Sequence, residues 1–330
     1  MDFALAGEQQ QFAAALHEML AAADGPAAAR SWTGGDRGPG LKIWRSLADA
    51  GVSALAIPVE RDGLGAHPAA LVVACEEIGH HAVPGPIAES LAAAPQLLAA
   101  TADPDLSDCL ARLAAGDLIA TVAAPPLVPY AADTEVAGLV LLAEPQQLRL
   151  GRPGPALRSV DPARSVAEVA GGRPVAAGPA AARAVARALD FGALAASAQL
   201  LGAGRALLEA SARHARDRRQ FGQPVGSFQA VKHQLADVLI GLEFARPLLF
   251  AAAVALAEDS PTAARDVSAA KVACADAAHR AARTGLQVHG AIGYTAEHNV
   301  GIWLTKIQGL ERTWGSQAWH RARVLAALCG

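Results

Sequence analysis

Aromatic side chains are scarce in this 330-residue chain, at 4%, although apolar residues make up 52% of it. The core must therefore come mainly from Ala, Leu and Val. Small side chains with high helix propensity favour a largely helical chain whose helices pack closely. Neither charge is in excess: 28 basic residues face 31 acidic ones with no basic stripe, which argues against a nucleic-acid partner. The four cysteines, Cys75, Cys109, Cys274 and Cys329, show no CxxC or other metal-type spacing. Reduced thiols and no metal site are the expectation. Asp2 and Glu8 stand where a signal peptide needs bases, and no apolar run approaches the roughly 20 residues of a membrane span. A cytoplasmic protein with no membrane segment is expected.

Periodicity predicts an amphipathic helix over residues 8–23, with Phe12, Leu16, Met19 and Leu20 on one face. A Gly- and Asp-rich break runs from Trp32 to Gly40, then a helix from Leu41 to Ala50 with Gly51 as its cap. Further helices are expected over residues 68–79, 87–100 and 107–115. From residue 117 to 178 short apolar runs alternate with Pro and Gly, the punctuation of a small β region. Four long Ala-rich segments follow, at residues 180–212, 228–258, 261–289 and 301–328. They predict an antiparallel four-helix bundle. The expected organisation is an N-terminal helical domain (1–116), a reduced middle β domain (117–178) and a C-terminal four-helix domain (179–330).

Two segments stand out chemically. Arg218-Arg219-Gln220-Phe221-Gly222-Gln223-Pro224-Val225 joins guanidinium forks suited to phosphate oxygens with an aromatic face for a stacked ring. A plain helix–helix turn, with Phe221 plugging the core, would use the same residues. Gln287-Val288-His289-Gly290-Ala291-Ile292-Gly293-Tyr294-Thr295 ends a long helix, and its glycines permit close backbone approach. Such a pair also marks an ordinary cap and tight turn. His80, His81 and His214 read as surface or interface groups, and Trp303, Trp314 and Trp319 as anchors on the last helix.

With Met1-Asp2-Phe3, Ala56-Ile57-Pro58-Val59-Glu60, Gly63-Leu64-Gly65 and Glu76-Glu77-Ile78-Gly79, these segments fall in one order. In that order the chain resembles the acyl-CoA dehydrogenase family over nearly its full length. The resemblance implies a mainly α, acyl-CoA dehydrogenase-like fold and FAD as cofactor, lying between the β domain of one subunit and the C-terminal domain of its neighbour. It implies Arg218 facing the pyrophosphate, Gln220 and Phe221 touching the cofactor, and Val225 and Phe228 beside the adenosine end. Gln287, Gly290 and Gly293 would line the same edge, with Ala291 where a second glycine is usual. The family reaction is α,β-desaturation of an acyl-CoA thioester, with a glutamate as base and the flavin as hydride acceptor.

Two departures narrow this. The usual catalytic glutamate would stand about 21 residues after Gly293, where the chain has Trp314. The alternative position falls at Asp190-Phe191-Gly192-Ala193 and again holds no glutamate. Asp190 and Glu311 are the remaining weak candidates for a base. The hydroxyl-rich segments that hold the flavin ring in the family's middle domain are also missing. Both losses fit the small subunit of a heteromeric α2β2 steroid side-chain acyl-CoA dehydrogenase. Such a chain completes the FAD site of a second, fuller subunit and passes electrons to an electron-transfer flavoprotein or similar acceptor. A self-sufficient homo-oligomeric dehydrogenase and a non-catalytic thioester-binding scaffold are the competing expectations.

Overall fold

A computed structural model describes residues 7–295 and 298–329. Met1-Asp2-Phe3, Ala296-Glu297 and the Tyr294 side chain lie outside the described parts. The fold is mainly helical, at 64%.

The N-terminal part holds α1 (Gly7–Ala22), α2 (Gly25–Thr33), α3 (Gly38–Asp49), α4 (Pro68–His80), α5 (Ala94–Leu98) and α6 (Cys109–Ala114). The broad break expected from Trp32 to Gly40 shrinks to the residues between α2 and α3. Asp24 accepts a hydrogen bond from the Ala27 N–H at its start, and Pro26 sits in the first turn. An Asp cap and an early Pro start α2 in a stretch for which the sequence pattern gave no element. Gly51, just past α3, takes φ +77° as an αL stop residue should. The helix expected over 87–100 opens with a π-helical turn at Ala88–Ala93 before α5.

The β region has a four-stranded sheet in the order β1 (Ala120–Ala123), β3 (Leu139–Glu144), β4 (Gln147–Pro153), β7 (Val169–Ala177). Its β1–β3 pair is parallel and the others antiparallel. Between β1 and β7 the strands β2 (Ala131–Ala132), β5 (Leu157–Arg158) and β6 (Ser165–Ala167) form a second sheet in the order β2-β6-β5.

The helices α7 (Pro179–Asp217), α8 (Gln229–Ala257) and α9 (Ala263–His289) make most of the C-terminal bundle. The single helix expected over 301–328 is two, α10 (Val300–Arg312) and α11 (Gln317–Cys329). Trp314 at φ +59° and Gly315 at φ +99° break it. The freed carbonyls are satisfied: buried Lys271 donates from Nζ to Leu310 O (2.9 Å) and Glu311 O (3.3 Å).

Both α7 and α8 contain apolar windows long enough to cross a membrane, where none was expected from sequence. In α7, 89% of that window is buried inside the protein; in α8, 39% is.

Packing of α4 on α7 is very close. A Cβ at Gly202 would lie 1.8 Å from Glu76 O, and one at Gly79 would lie 2.2 Å from Gln199 O, so the backbones touch with nothing between them. This contact brings the α4 acids against α7. Glu76 pairs with Arg205 (2.5 Å) and takes two bonds from Arg246 of α8 (2.7 and 3.0 Å). Glu77 pairs with Arg205 at 2.9 Å and with His17 of α1 at 2.9 Å. Burial works to raise the Glu77 carboxyl, but Arg205 and His17 outweigh it and hold the group below its ordinary value. His80 and His81, expected as surface or interface groups, are each only 8% exposed, because the end of α4 is sandwiched between α1 and α7. Burial, with the His80 and His17 rings alongside, pushes His81 down to about 4 and keeps it neutral at pH 7.

Gly202→Ala drives a methyl group into the α4 backbone and should cost about 1–3 kcal/mol. A thermal midpoint equal to that of the parent chain would show that α4 can back away.

Candidate functional site

The first motif folds as a hairpin at the end of α7. Strands β8 (Arg219–Gln220) and β9 (Gln223–Pro224) pair antiparallel, and Val225 N–H closes the base on Arg218 O at 2.7 Å. The two tip residues, Phe221 and Gly222, have φ +51° and +80°. A two-residue hairpin of this kind needs positive φ at both positions. Glycine meets that freely, but phenylalanine does so at a cost of about 1–2 kcal/mol. The chain bears this strain to hold Phe221 91% exposed, so Phe221 is no core plug. Phe228 meets its ring edge-on, with centroids 6.2 Å apart. Arg218, Arg219 and Gln220 are exposed around it, and Val225 is half-buried.

The second motif closes α9. Gly290 adopts φ +62° with ψ −140°, and its missing Cβ faces open space. Gly293 behaves differently: a Cβ there would sit 3.2 Å from Leu286 and 3.3 Å from His289, so it serves inward packing. Gln287, Gly290 and Ala291 line a broad open cavity of about 1110 Å³ with Arg280, Arg283 and, from α8, Gln234 and Asp237. Arg280 and Arg283 were not singled out from the sequence. Their signal was helical spacing, since they precede Gln287 by two turns and one turn on the same helix. His214, near the end of α7 and half-buried rather than at the surface, lies 4.5 Å from the His289 ring beside Gly290. The two motifs thus share one end of the bundle. Exposed guanidinium groups, an exposed aromatic ring and bare backbone there suit a ligand with phosphates and a planar ring.

The places expected of a base are closed. Trp314 is 2% exposed, and a Cβ at Gly192 would lie 2.3 Å from its indole, so the two glutamate positions meet and one indole fills the space. Among the described residues its Nε1 is a buried donor without a partner. Asp190 is held by Arg323 of α11 at 2.5 and 3.3 Å. Glu311 accepts from, or shares a proton with, His279 of α9 at 3.0 Å. Because α10 ends at Arg312, Glu311 and Trp314 do not lie on one helix. Where the three parts of the chain meet, a cavity lined by Ile87, Glu89, Arg164, Gln199, Lys306 and Thr313 measures about 20 Å³. The Arg164–Glu89 pair (3.0 Å) sits there. That is room for about one water, against about 300–1,000 Å³ for a ligand pocket.

The chain matches the acyl-CoA dehydrogenase N-terminal domain model over residues 6–117 and the C-terminal domain model over residues 182–329. It is 32% identical over 307 residues to acyl-CoA dehydrogenase IpdE2 of Mycobacterium tuberculosis, covering 92% of this chain and 91% of that one. The chain belongs to the acyl-CoA dehydrogenase family. Membership places it among oxidoreductases acting on acyl-CoA. Its fold is similar to the ChsE4-ChsE5 complex from Mycobacterium tuberculosis, with TM-score 0.83, 26% identity and coverage of 100% of this chain and 99% of the other. Butyryl-CoA dehydrogenase from Megasphaera elsdenii shares the fold at TM-score 0.86 and 18% identity, with 100% of both chains covered.

The Trp314 turn is braced by His320, which is fully buried, donates from Nε2 to Trp314 O at 2.9 Å and faces Ser268 Oγ at 3.0 Å. Burial, opposed by the bond to Trp314 O, pushes His320 down to about 4 from its ordinary 6.5. The unfolded chain takes up this proton first, so stability falls as pH drops from about 6.5 toward about 4, by about 3 kcal/mol at most. Stability of His320→Gln should fall less over pH 7 to 4, by about that amount; parallel curves for the two proteins would refute this assignment.

Proposed function

We propose that this chain is the FAD-completing subunit of a heteromeric acyl-CoA dehydrogenase that desaturates a bulky, steroid-like acyl-CoA thioester. The observation that carries the reading is Phe221, held almost wholly in solvent on a strained two-residue turn among arginines. An aromatic ring kept exposed at a cost in backbone strain calls for a cover from another molecule. The residues at this end fit the cofactor. Arg218 would offer a fork to the pyrophosphate, and Arg280 and Arg283 add positive charge to the cavity beside Gln287. Phe221 and Gln220 would contact the cofactor, with Val225 and Phe228 beside its adenosine end. Gln287 and Gly290 let the cofactor approach the backbone.

When bound, FAD supplies the acceptor for the hydride leaving the β-carbon of the thioester. This chain's own part is to bind and orient. It moves no proton in the reaction, since Trp314 stands in the base position and Asp190 and Glu311 are engaged by Arg323 and His279. The second, fuller subunit supplies the glutamate and the acyl pocket. It docks along α8, where Ile240 (51% exposed), Phe244 (75%) and Leu248 (44%) repeat every fourth residue as one apolar stripe. The likeness to the ChsE4-ChsE5 complex supports a two-chain assembly. An electron-transferring flavoprotein is the fitting acceptor, and the cytoplasm the fitting compartment.

The test is purification alone and together with a fuller acyl-CoA dehydrogenase subunit encoded nearby. The chain alone should be colourless and inactive, and the pair yellow and active. Within the pair, Phe221→Ala or Arg218→Gln should weaken FAD retention about 10–100-fold, the loss of one charge-assisted bond or stacked ring. Phe244→Glu should abolish co-purification. Yellow, active protein from this chain alone would mean a self-sufficient enzyme, and a colourless pair would mean a scaffold.

A further inference from the structure

Away from this end of the bundle, four potential metal-ligating side chains converge where α1, α4 and α7 meet. His17, Glu77, His80 and His81 each bring one donor atom within 4.8 Å of the others. His17 Nδ1 lies 2.9 Å from Glu77 Oε2 and 3.2 Å from His81 Nε2, and Glu77 Oε2 lies 4.0 Å from His81 Nε2. We propose that His17, Glu77 and His81 hold one divalent transition-metal ion of the zinc class, with His80 as the fourth donor, clamping α1 to α4.

Geometry comes first. A tetrahedral ion with bonds of about 2.0–2.1 Å sets its donors about 3.3–3.4 Å apart, and the three observed edges bracket that length. Two imidazoles and a carboxylate form a donor set that zinc accepts.

Proton counting points the same way. Glu77 is ionised and accepts only, so the His17 Nδ1 proton is directed to it. His81 Nε2 faces that same nitrogen. With a lone pair it competes for a proton already given, and with a proton it points N–H at N–H. One proton among these three atoms leaves His81 Nε2 with at best a share in a three-centre bond, whereas a cation can take a lone pair from each.

The surroundings resemble the outer shell of a metal site. Arg205 holds the other Glu77 oxygen at 2.9 Å and so turns Oε2 toward the histidines. Arg205 also adds a positive charge, which Glu76 at 2.5 Å offsets. His80 Nε2 lies 3.1 Å from Glu209 Oε2, a carboxylate–histidine pair that fixes the tautomer and leaves the lone pair on Nδ1. That Nδ1 is buried and, among the described residues, has no hydrogen-bond partner. A buried imidazole nitrogen with a free lone pair is costly unless something accepts it. The His17 side chain is 45% exposed, which gives an ion its way in.

The full chain, stripped with a chelator and titrated with Zn²⁺ or Co²⁺, tests this. After gel filtration elemental analysis should find one ion per chain, and Co²⁺ should give the intense visible absorption of a tetrahedral site. Zn²⁺ should raise the thermal midpoint of the parent chain. His17→Ala, a half-exposed position where the metal-free fold should persist, should lose both the ion and the metal-induced rise, as should His81→Ala. Glu209→Gln should weaken binding about 10–100-fold. His214→Ala, in the separate histidine group near Gly290, should bind as the parent does. The proposal is overturned if the parent retains no ion, or if His17→Ala, with an unchanged metal-free melting point, retains as much as the parent.

Discussion

The direct contact of the α4 and α7 backbones is the constraint on which the rest depends. Gly79 and Gly202 remove the side chains that would hold the helices apart. Once the backbones touch, the acids of α4 are carried into the interior and must be neutralised there. Arg205 and Arg246 do this, and because they come from α7 and α8 the ion network ties the N-terminal part to the bundle. Buried charge of this kind fixes which surfaces meet more than it adds net stability. The position of α7 then decides what lies at its middle and at its end.

At its middle, Gly192 accepts the flat indole of Trp314, and a site that could have held a base is filled. At its end, α7 gives way to a hairpin whose tip is strained and exposed. Along one helix a buried indole packs against the backbone at one place, and at the end an aromatic ring is held in solvent. The strain at Phe221 is meaningful because, among the described residues, its ring gains almost no burial in return.

Much of this was legible in the sequence, for local reasons. The helices of the bundle follow from Ala-rich periodicity, and the turns at Gly222 and Gly290 from glycines, which take positive φ without strain. The family order of motifs survives as written. Less legible were α2, a short helix whose start is marked only by an Asp cap and an early Pro, and the split between α10 and α11, where periodicity masked the stop at Trp314-Gly315. The inward role of Gly293 and the cation pair Arg280 and Arg283 needed the helix to be placed before they could be read.

The sequence by itself determined the family and the helical class, and it put Trp314 where the resemblance expects a glutamate, because each is carried by a residue type or a short spacing. Only the tertiary structure decided that Phe221 stands in solvent, that Trp314 closes on Gly192, that Asp190 and Glu311 are already paired, and that His17 meets Glu77, His80 and His81. Burial and pairing between segments far apart in the chain arise from helix packing, and no local pattern encodes which distant side chains that packing brings together.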